Sequence, residues 1–82
     1  MQAAGTHAYL QVGSFSERDN ARRVLRQLRA GGVEDSRMVR VHVAGQRLWR
    51  VRAGPILGEA AERVLREQLR VLGFPYPQRV TR

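Results

Sequence analysis

Hydrophobic and polar residues alternate along the first patterned segment of the chain, Ala8–Gly13. Leu10 and Val12 point to one side of this segment, and Tyr9 and Gln11 point to the other. Because side chains alternate between the two faces of an extended strand, this pattern predicts a β-strand with one buried face.

Two later segments, Arg37–Val43 and Arg47–Ala53, show the same alternation. The residues between them, Ala44–Gln46, contain a glycine and predict a short turn, so we expect the two strands to form an antiparallel hairpin. Gly54 and the proline that follows it are expected to end the second strand of this hairpin. A last short strand is predicted at Gln78–Thr81.

The two remaining patterned segments repeat apolar residues at helical spacing. The first follows a Ser16-to-Asp19 spacing that resembles a capping box, and it ends at Gly31–Gly32. The second spans Glu59–Leu72, and we expect Gly73 to cap its end. The apolar positions are Ala21, Val24, Leu25 and Leu28 in the first helix and Ala61, Val64, Leu65, Leu69 and Leu72 in the second.

The predicted order is strand, helix, strand, strand, helix, strand, and the two halves resemble each other. Residues 21–26 recur as residues 61–66 with a single mismatch. Two similar βαβ halves joined by a hairpin are typical of the α+β ferredoxin-like arrangement, βαββαβ. Right-handed crossovers then put both helices on one face of a four-stranded antiparallel sheet.

This fold sorts the strand residues between a buried face, which the helices cover, and an open face. Alternation assigns Leu10, Val12, Val39, Val41, Val43, Trp49 and Val51 to the buried face. It assigns Tyr9, Gln11, Met38, Arg40, His42, Leu48, Arg50 and Arg52 to the open face. A solvent-facing sheet surface with long amphipathic chains, three arginines and no acid favours the binding of an extended polar or anionic ligand.

The charge of the chain strengthens this interpretation. Its 82 residues carry 15 basic side chains against 7 acidic ones, a net charge of +8, and every basic side chain is arginine. An arginine-rich composition also arises from codon usage in a GC-rich genome, but this much charge on a small domain predicts anionic partners. Arginine supplies a planar fork of donors that suits carboxylates and phosphates.

Residue types that carry catalysis are scarce. The absence of cysteine excludes zinc-thiolate sites and thiol nucleophiles. The histidines are His7 and His42, and the sequence has no G-x-S-x-G, H-E-x-x-H, EF-hand or phosphate-loop motif. We therefore expect a binding domain with no cofactor and no metal. No segment approaches the ~18 apolar residues of a membrane span, so no membrane contact is expected.

Two motifs resemble the signatures of the SPOR domain. The first, Gln11-Val12-Gly13-Ser14-Phe15 on the first predicted strand, is similar to the family pattern Q-x-G-S/A-F. The second, Trp49-Arg50-Val51-Arg52-Ala53-Gly54-Pro55 on the third strand, is similar to Y-R-V-x-x-G-P. Residues 8–82 resemble such a domain in the order of their elements as well, and residues 1–7 are expected to form a flexible leader.

The resemblance implies a non-catalytic module of the bacterial cell envelope that binds peptidoglycan across the open sheet face. SPOR domains prefer denuded glycan strands, from which amidases have removed the stem peptides, and they direct their parent proteins to the division septum in the periplasm. The chain looks most similar to the SPOR modules of septal lytic transglycosylases of the rare lipoprotein A type, and FtsN-like and amidase-borne modules are close alternatives. Any catalytic domain would lie elsewhere in the parent protein, and the module is expected to be monomeric.

The resemblance also implies which residues bind glycan. Gln11 and Arg50 match signature positions on the open face, and Ser14 matches the small polar position at the end of the first strand. Trp49 replaces the usual tyrosine and is expected to face the core, and Leu48 stands where some family members carry a tryptophan. The candidate glycan-binding residues are Tyr9, Gln11, Ser14, Phe15, Arg40, His42, Leu48, Arg50 and Arg52.

Two other functions fit parts of the pattern. An RNA-recognition module, which binds single-stranded RNA or DNA, shares the fold and the basic charge, but it needs aromatic side chains on its inner strands. Here the open positions of those strands supply one aromatic residue, Tyr9, which is also the candidate to replace the missing stacking ring. A protein-interaction module would instead show an apolar patch on the sheet, which the arginines argue against.

Overall fold

The computed structural model describes residues 7–81 of the chain. Residues 1–6 of the predicted leader, and residue 82, lie outside the described residues, and the leader stays a prediction. The elements are β1 (Ala8–Phe15), α1 (Arg18–Ala30), β2 (Ser36–Val43), β3 (Gln46–Ile56), α2 (Glu59–Val71) and β4 (Gln78–Thr81).

The four strands form one antiparallel sheet with the order β2-β3-β1-β4. The two central strands, β3 and β1, are the ones that carry the two sequence motifs. Both helices pack on the same face of the sheet, so the predicted α+β ferredoxin-like βαββαβ fold is confirmed. In the described part of the chain, both helices are too short or too polar to span a membrane.

The core lies between the sheet and the two helices. Leu10 of β1, Val51 of β3 and Leu28 of α1 are completely buried, and so is Leu69 of α2. Burial of each such side chain stabilises the fold by about 1.5–3 kcal/mol. Partly buried residues pack around this centre, and Trp49 is one of them, so the tryptophan faces the core as predicted.

The hairpin differs from the prediction in the length of its turn. Ala44 and Gly45 alone form the turn, with φ angles of 52° and 78°, and Gln46 already pairs with Val43 in the sheet. Positive φ at both central residues is typical of the two-residue turns whose twist matches that of the flanking strands. The predicted turn was therefore one residue too long.

This one-residue difference reverses the two faces of β2, because side chains alternate along a strand with a period of two. The buried residue Val51 lies opposite Met38, which packs against the core. The prediction that β2 buries its valines is therefore wrong. Met38, Arg40 and His42 lie on the helix-covered face, whereas Val39, Val41 and Val43 lie on the open face.

Strand β3 continues beyond the position where it was expected to end. It runs through Gly54 and Pro55 to Ile56, whose partner in β1 is Ala8. Gly54 has a φ of 132°, and a β-carbon at this position would approach the ring of Tyr9 to 3.1 Å. The strand continues because glycine tolerates both the irregular backbone and the close neighbouring ring.

Both helices form where the sequence predicts them, but α1 begins without the predicted cap. Its N-cap residue is Glu17, and no side chain forms a cap hydrogen bond there. The capping box predicted from Ser16 and Asp19 is therefore wrong. At the other end, each helix is followed by a glycine with positive φ, Gly32 after α1 and Gly73 after α2. Glycine adopts this conformation without a steric penalty, which lets the chain leave the helix.

Helix α2 packs on the sheet through its C-terminal half. Leu69 is fully buried and Leu65 and Leu72 pack around the core, as predicted. Val64, however, is 61% exposed, and Ala61 is exposed as well, so their predicted burial is wrong. The buried stripe follows the three leucines, and Val64 lies about 100° around the helix from its neighbour Leu65.

The orientation of β2 predicts a large and a small loss of stability for two substitutions on the same strand. Met38→Ala should lower the free energy of unfolding by about 2 kcal/mol, because it leaves a cavity beside Val51. Val41→Thr should change it by less than about 0.5 kcal/mol, because the residue lies on the open face and threonine keeps the branched shape. Urea unfolding measures both values. A larger loss from Val41→Thr than from Met38→Ala would mean that the valine side is the buried one.

Candidate functional site

The open face is the side of the sheet that neither helix covers. Residues directly opposite each other in antiparallel strands share a face, so the register of the strands assigns side chains to it. The central strands contribute Tyr9, Gln11, Ser14, Gln46, Leu48, Arg50 and Arg52. The edge strands contribute Arg37, Val39, Val41, Val43, Gln78 and Val80.

A register shift in β1 brings two polar residues of the first motif onto this face. Regular alternation would put Gln11 and Ser14 on opposite faces, because they are three positions apart along the strand. The shift between Gln11 and Gly13 inserts one extra residue, so Gln11 lies opposite Arg52 and Ser14 lies opposite Arg50. The four polar side chains therefore form two neighbouring cross-strand pairs.

Each pair is joined by a hydrogen bond from its arginine. The Nε–H of Arg52 donates to Oε1 of Gln11 at 3.0 Å, and the Nε–H of Arg50 donates to Oγ of Ser14 at 3.3 Å. Arg52 is buried, with 8% of its surface exposed, whereas Arg50 is half-buried. The terminal NH2 groups of Arg50 have no acceptor within residues 7–81, so they are available to an anion.

The sheet concentrates positive charge. The strands as described contain six arginines and no aspartate or glutamate. All 7 acidic residues of the chain lie instead on the helices or in the segments between elements. Three of these arginines, Arg37, Arg50 and Arg52, lie on the open face, and no acid of the strands lies beside them, so the open face favours an anionic ligand.

Tyr9 lies on the open face but is covered. Only 3% of its surface is exposed, and the guanidinium of Arg37 lies over its ring, 5.1 Å from the centroid. The Nη2 group of Arg37 also donates to the tyrosine hydroxyl at 3.2 Å. Tyr9 therefore supports Arg37 and is not an exposed surface for stacking a sugar. Arg37 was not among the predicted site residues, because the predicted hairpin register puts it on the helix-covered face.

Three of the predicted site residues lie on the helix-covered face. Phe15 lies opposite Trp49 and packs against the core. Arg40 of β2 is the partner of Trp49 on the opposite side of β3 from Phe15. His42 is the next residue of β2 on the same face. These three residues are thus separated from the polar pairs by the thickness of the sheet. Leu48 does lie on the open face, where it is half-buried.

A concavity of about 270 Å³ lies away from these residues. It is lined by the loop between α1 and β2, by Gly54 and Pro55, and by Gln68 of α2. Glu34 and Asp35 are part of its lining, so it does not suit an anion. Residues 7–81 contain no cluster of histidine, aspartate and glutamate that could hold a metal ion. The open face is therefore the stronger candidate for a binding site.

Comparison with known protein families agrees with this geometry. The family model of the SPOR domain matches residues 4–81, which is nearly the whole chain. The chain belongs to the SPOR-domain family. SPOR domains are non-catalytic modules of the cell envelope that bind peptidoglycan and target proteins to the division septum. Searches of curated proteins and of solved structures found no significant match.

The first motif of this SPOR domain specifies the register shift and the side chains that the shift presents. Gln11 and Ser14 point to the open face, and Phe15 points to the core. Phe15 folds back over Gly13, where a β-carbon would lie 2.7 Å from the phenylalanine ring. A side chain at this position would displace the phenylalanine ring, which glycine leaves in place.

The two arginine pairs should contribute unequally to stability. Arg52→Ala should lower the free energy of unfolding by about 1–3 kcal/mol, because it removes a buried side chain and leaves the carbonyl of Gln11 without its donor. Arg50→Ala should change it by less than about 0.5 kcal/mol, because its bond to Ser14 is exposed to solvent. Chemical denaturation of both variants checks this, and equal losses would contradict the difference in burial.

Proposed function

We propose that this SPOR domain binds denuded glycan strands across its open face, in the periplasm at the division septum. Gln11, Ser14 and Arg50 are the residues that we expect to contact the sugar chain, with Leu48 and Arg52 beside them. The observation that carries the proposal is the hydrogen-bonded pairing of these polar residues on an open face that holds three arginines and, in its described strands, no acid. From the resemblance of the motifs, we further propose a parent protein of the rare lipoprotein A type.

The charge of the open face is complementary to that of glycan without stem peptides. Removal of the stem peptide leaves a free lactyl carboxylate on each muramic acid. The terminal N–H groups of Arg50, which have no acceptor within residues 7–81, can pair with such a carboxylate in a forked, charge-assisted contact. An intact stem peptide would mask this charge and would clash with a strand lying flat on the sheet. A preference for denuded glycan then follows from two effects together: the arginine attracts the free carboxylate, and strands with intact stem peptides are excluded from the sheet.

The neutral groups of the sugars match Gln11 and Ser14. Oε1 of Gln11 accepts a hydrogen bond from Arg52, which fixes the orientation of the amide and keeps its NH2 group for a ligand acceptor. Ser14 accepts from Arg50 and keeps its own hydroxyl proton for donation. Both side chains can therefore donate to the N-acetyl and hydroxyl oxygens of the glycan.

Binding of single-stranded nucleic acid is less well supported. Modules of that kind stack bases on exposed aromatic rings at the centre of the sheet. Here Tyr9 is covered by Arg37, and Trp49 belongs to the helix-covered face. The described strands therefore present no exposed phenylalanine, tyrosine or tryptophan ring to a base on the open face.

Calorimetric titration at ~0.15 M salt, where exposed charges are screened beyond ~8 Å, tests the proposal. The protein is titrated with amidase-treated glycan strands, with untreated peptidoglycan fragments and with single-stranded RNA. We expect selective binding of the amidase-treated strands, because only these combine free carboxylates with access to the sheet. Binding of RNA alone, or of every anion with a steep salt dependence, would contradict the proposal.

Arg50→Ala tests the proposed contact itself. It should weaken binding of denuded strands about tenfold or more, because a hydrogen bond to a charged group contributes about 1.5–3 kcal/mol. The matched control is Arg26→Ala, which removes the same charge from an exposed position on α1 and should change the affinity less than about twofold. Equal losses in the two variants would mean that glycan responds to net charge and not to the open face.

A further inference from the structure

The valines expected in the core form an apolar surface on the open face instead. Together with Leu48 they make up the aliphatic patch, which consists of Val39, Val41, Val43 and Leu48. Val43 is 43% exposed and the other three are half-buried. Solvent-facing strand positions are ordinarily polar, and neither helix covers this side of the hairpin. An apolar patch of this kind indicates a contact surface, and it shows that the expectation from the sequence, that the arginines leave no such patch on the sheet, is wrong.

The aliphatic patch is continuous with the polar pairs. Val39 lies directly opposite Arg50, and Val41 lies directly opposite Leu48. A strand rises about 3.3 Å per residue, so the open face extends about 13 Å from Arg50 to Gln46 at the end of the hairpin. A sugar chain held at Arg50 and continuing along the hairpin would therefore lie on the patch.

We propose that the aliphatic patch is a second subsite for the same glycan strand, where it binds the sugars next to those held at Arg50. This inference rests on the proposed function. Pyranose rings present faces of C–H bonds, and N-acetyl and lactyl groups carry methyl groups. Closely spaced aliphatic side chains remove such groups from water over an extended area, without an aromatic ring. The subsite makes affinity depend on strand length as well as on charge.

Two other occupants match the open face less well. A second copy of this chain would bring its own Arg37 and Arg50 against the same two residues, and the strands as described supply no acid to pair with them. Membrane surfaces are contacted by protruding aromatic and leucine side chains, whereas most residues of the aliphatic patch are short and half-buried. A glycan strand offers both carboxylates for the arginines and flat apolar faces for the patch.

The test uses the double variant Val41→Thr/Val43→Thr, which leaves Leu48 and the residues around Arg50 unchanged. Threonine favours strand conformation and matches the shape of valine, so the sheet should remain folded. The control is Val64→Thr, which changes a valine that is 61% exposed on α2. Each protein, with the wild type and Arg50→Ala, is titrated with denuded glycan fractions of increasing length at ~0.15 M and ~0.5 M salt. Thermal melting confirms that every variant is folded.

The double variant should bind long strands roughly five- to tenfold more weakly than the wild type, because apolar contact area is lost. Its affinity for the shortest fragment that the wild type binds should be unchanged. The loss on long strands should persist at the higher salt, whereas the loss caused by Arg50→Ala should shrink, because salt screens charges and not apolar burial. Val64→Thr should bind every fraction as the wild type does.

Wild-type affinity of the double variant for every fraction would overturn this inference, and a loss confined to Arg50→Ala would leave the proposed function standing. If the wild type bound no denuded fraction, the proposed function would fail and the inference with it. If glycan affinity is unchanged but the double variant binds phosphatidylglycerol–phosphatidylcholine vesicles less well, the patch contacts a membrane. If glycan affinity is unchanged but self-association in sedimentation is reduced, the patch contacts a second copy of the chain. If the double variant does not fold, Val43→Thr at the most exposed position gives the same comparison.

Discussion

The pairing of β3 with its two neighbours is the constraint on which the rest of the structure depends. On one side, the two-residue turn at Ala44–Gly45 fixes β2 so that its valines lie on the open face. On the other side, the register shift before Gly13 puts Gln11 and Ser14 on that same face. A slip of one residue in either pairing would exchange the side chains of the two faces. Register therefore decides which chemistry the open face carries.

The separation of charge follows from the same architecture. Acidic side chains of α2 pair with arginines: one carboxylate oxygen of Glu62 lies 2.9 Å from Arg66 of the same helix, and the other lies 3.3 Å from Arg79 of β4 on the helix-covered face. On α2, a hydrogen bond from Arg70 lowers the pKa of the Glu67 carboxyl. On the open face, Arg37 and Arg50 have no acidic neighbour in the described strands, which contain no aspartate or glutamate. This positive charge is what makes the open face suited to an anionic polymer.

The order of the elements and the fold class follow from local signals. Alternating hydrophobic residues, apolar residues at helical spacing, and the glycines and prolines that end elements each act over a few residues. The orientation of β2 does not, because it depends on a turn of two rather than three residues, and Ala-Gly marks that turn less clearly than Asn-Gly would. Family resemblance predicted Gln11, Ser14 and Arg50 as site residues, although regular alternation would separate Gln11 from Ser14. The burial of Tyr9 under Arg37 joins strands that are distant in the sequence, and no local pattern predicts it.

The central claim is that ligand lies on the open face of the sheet. Amide chemical-shift mapping of the isotope-labelled domain during titration with denuded glycan strands tests it most directly, because every strand and helix reports separately. We expect the largest shift changes in β1 and β3 around Ser14 and Arg50, continuing into β2, with the outer surface of α1 unchanged. Changes confined to the arginine-rich outer surface of α1 would contradict the claim, because they would mean that charge alone attracts the glycan.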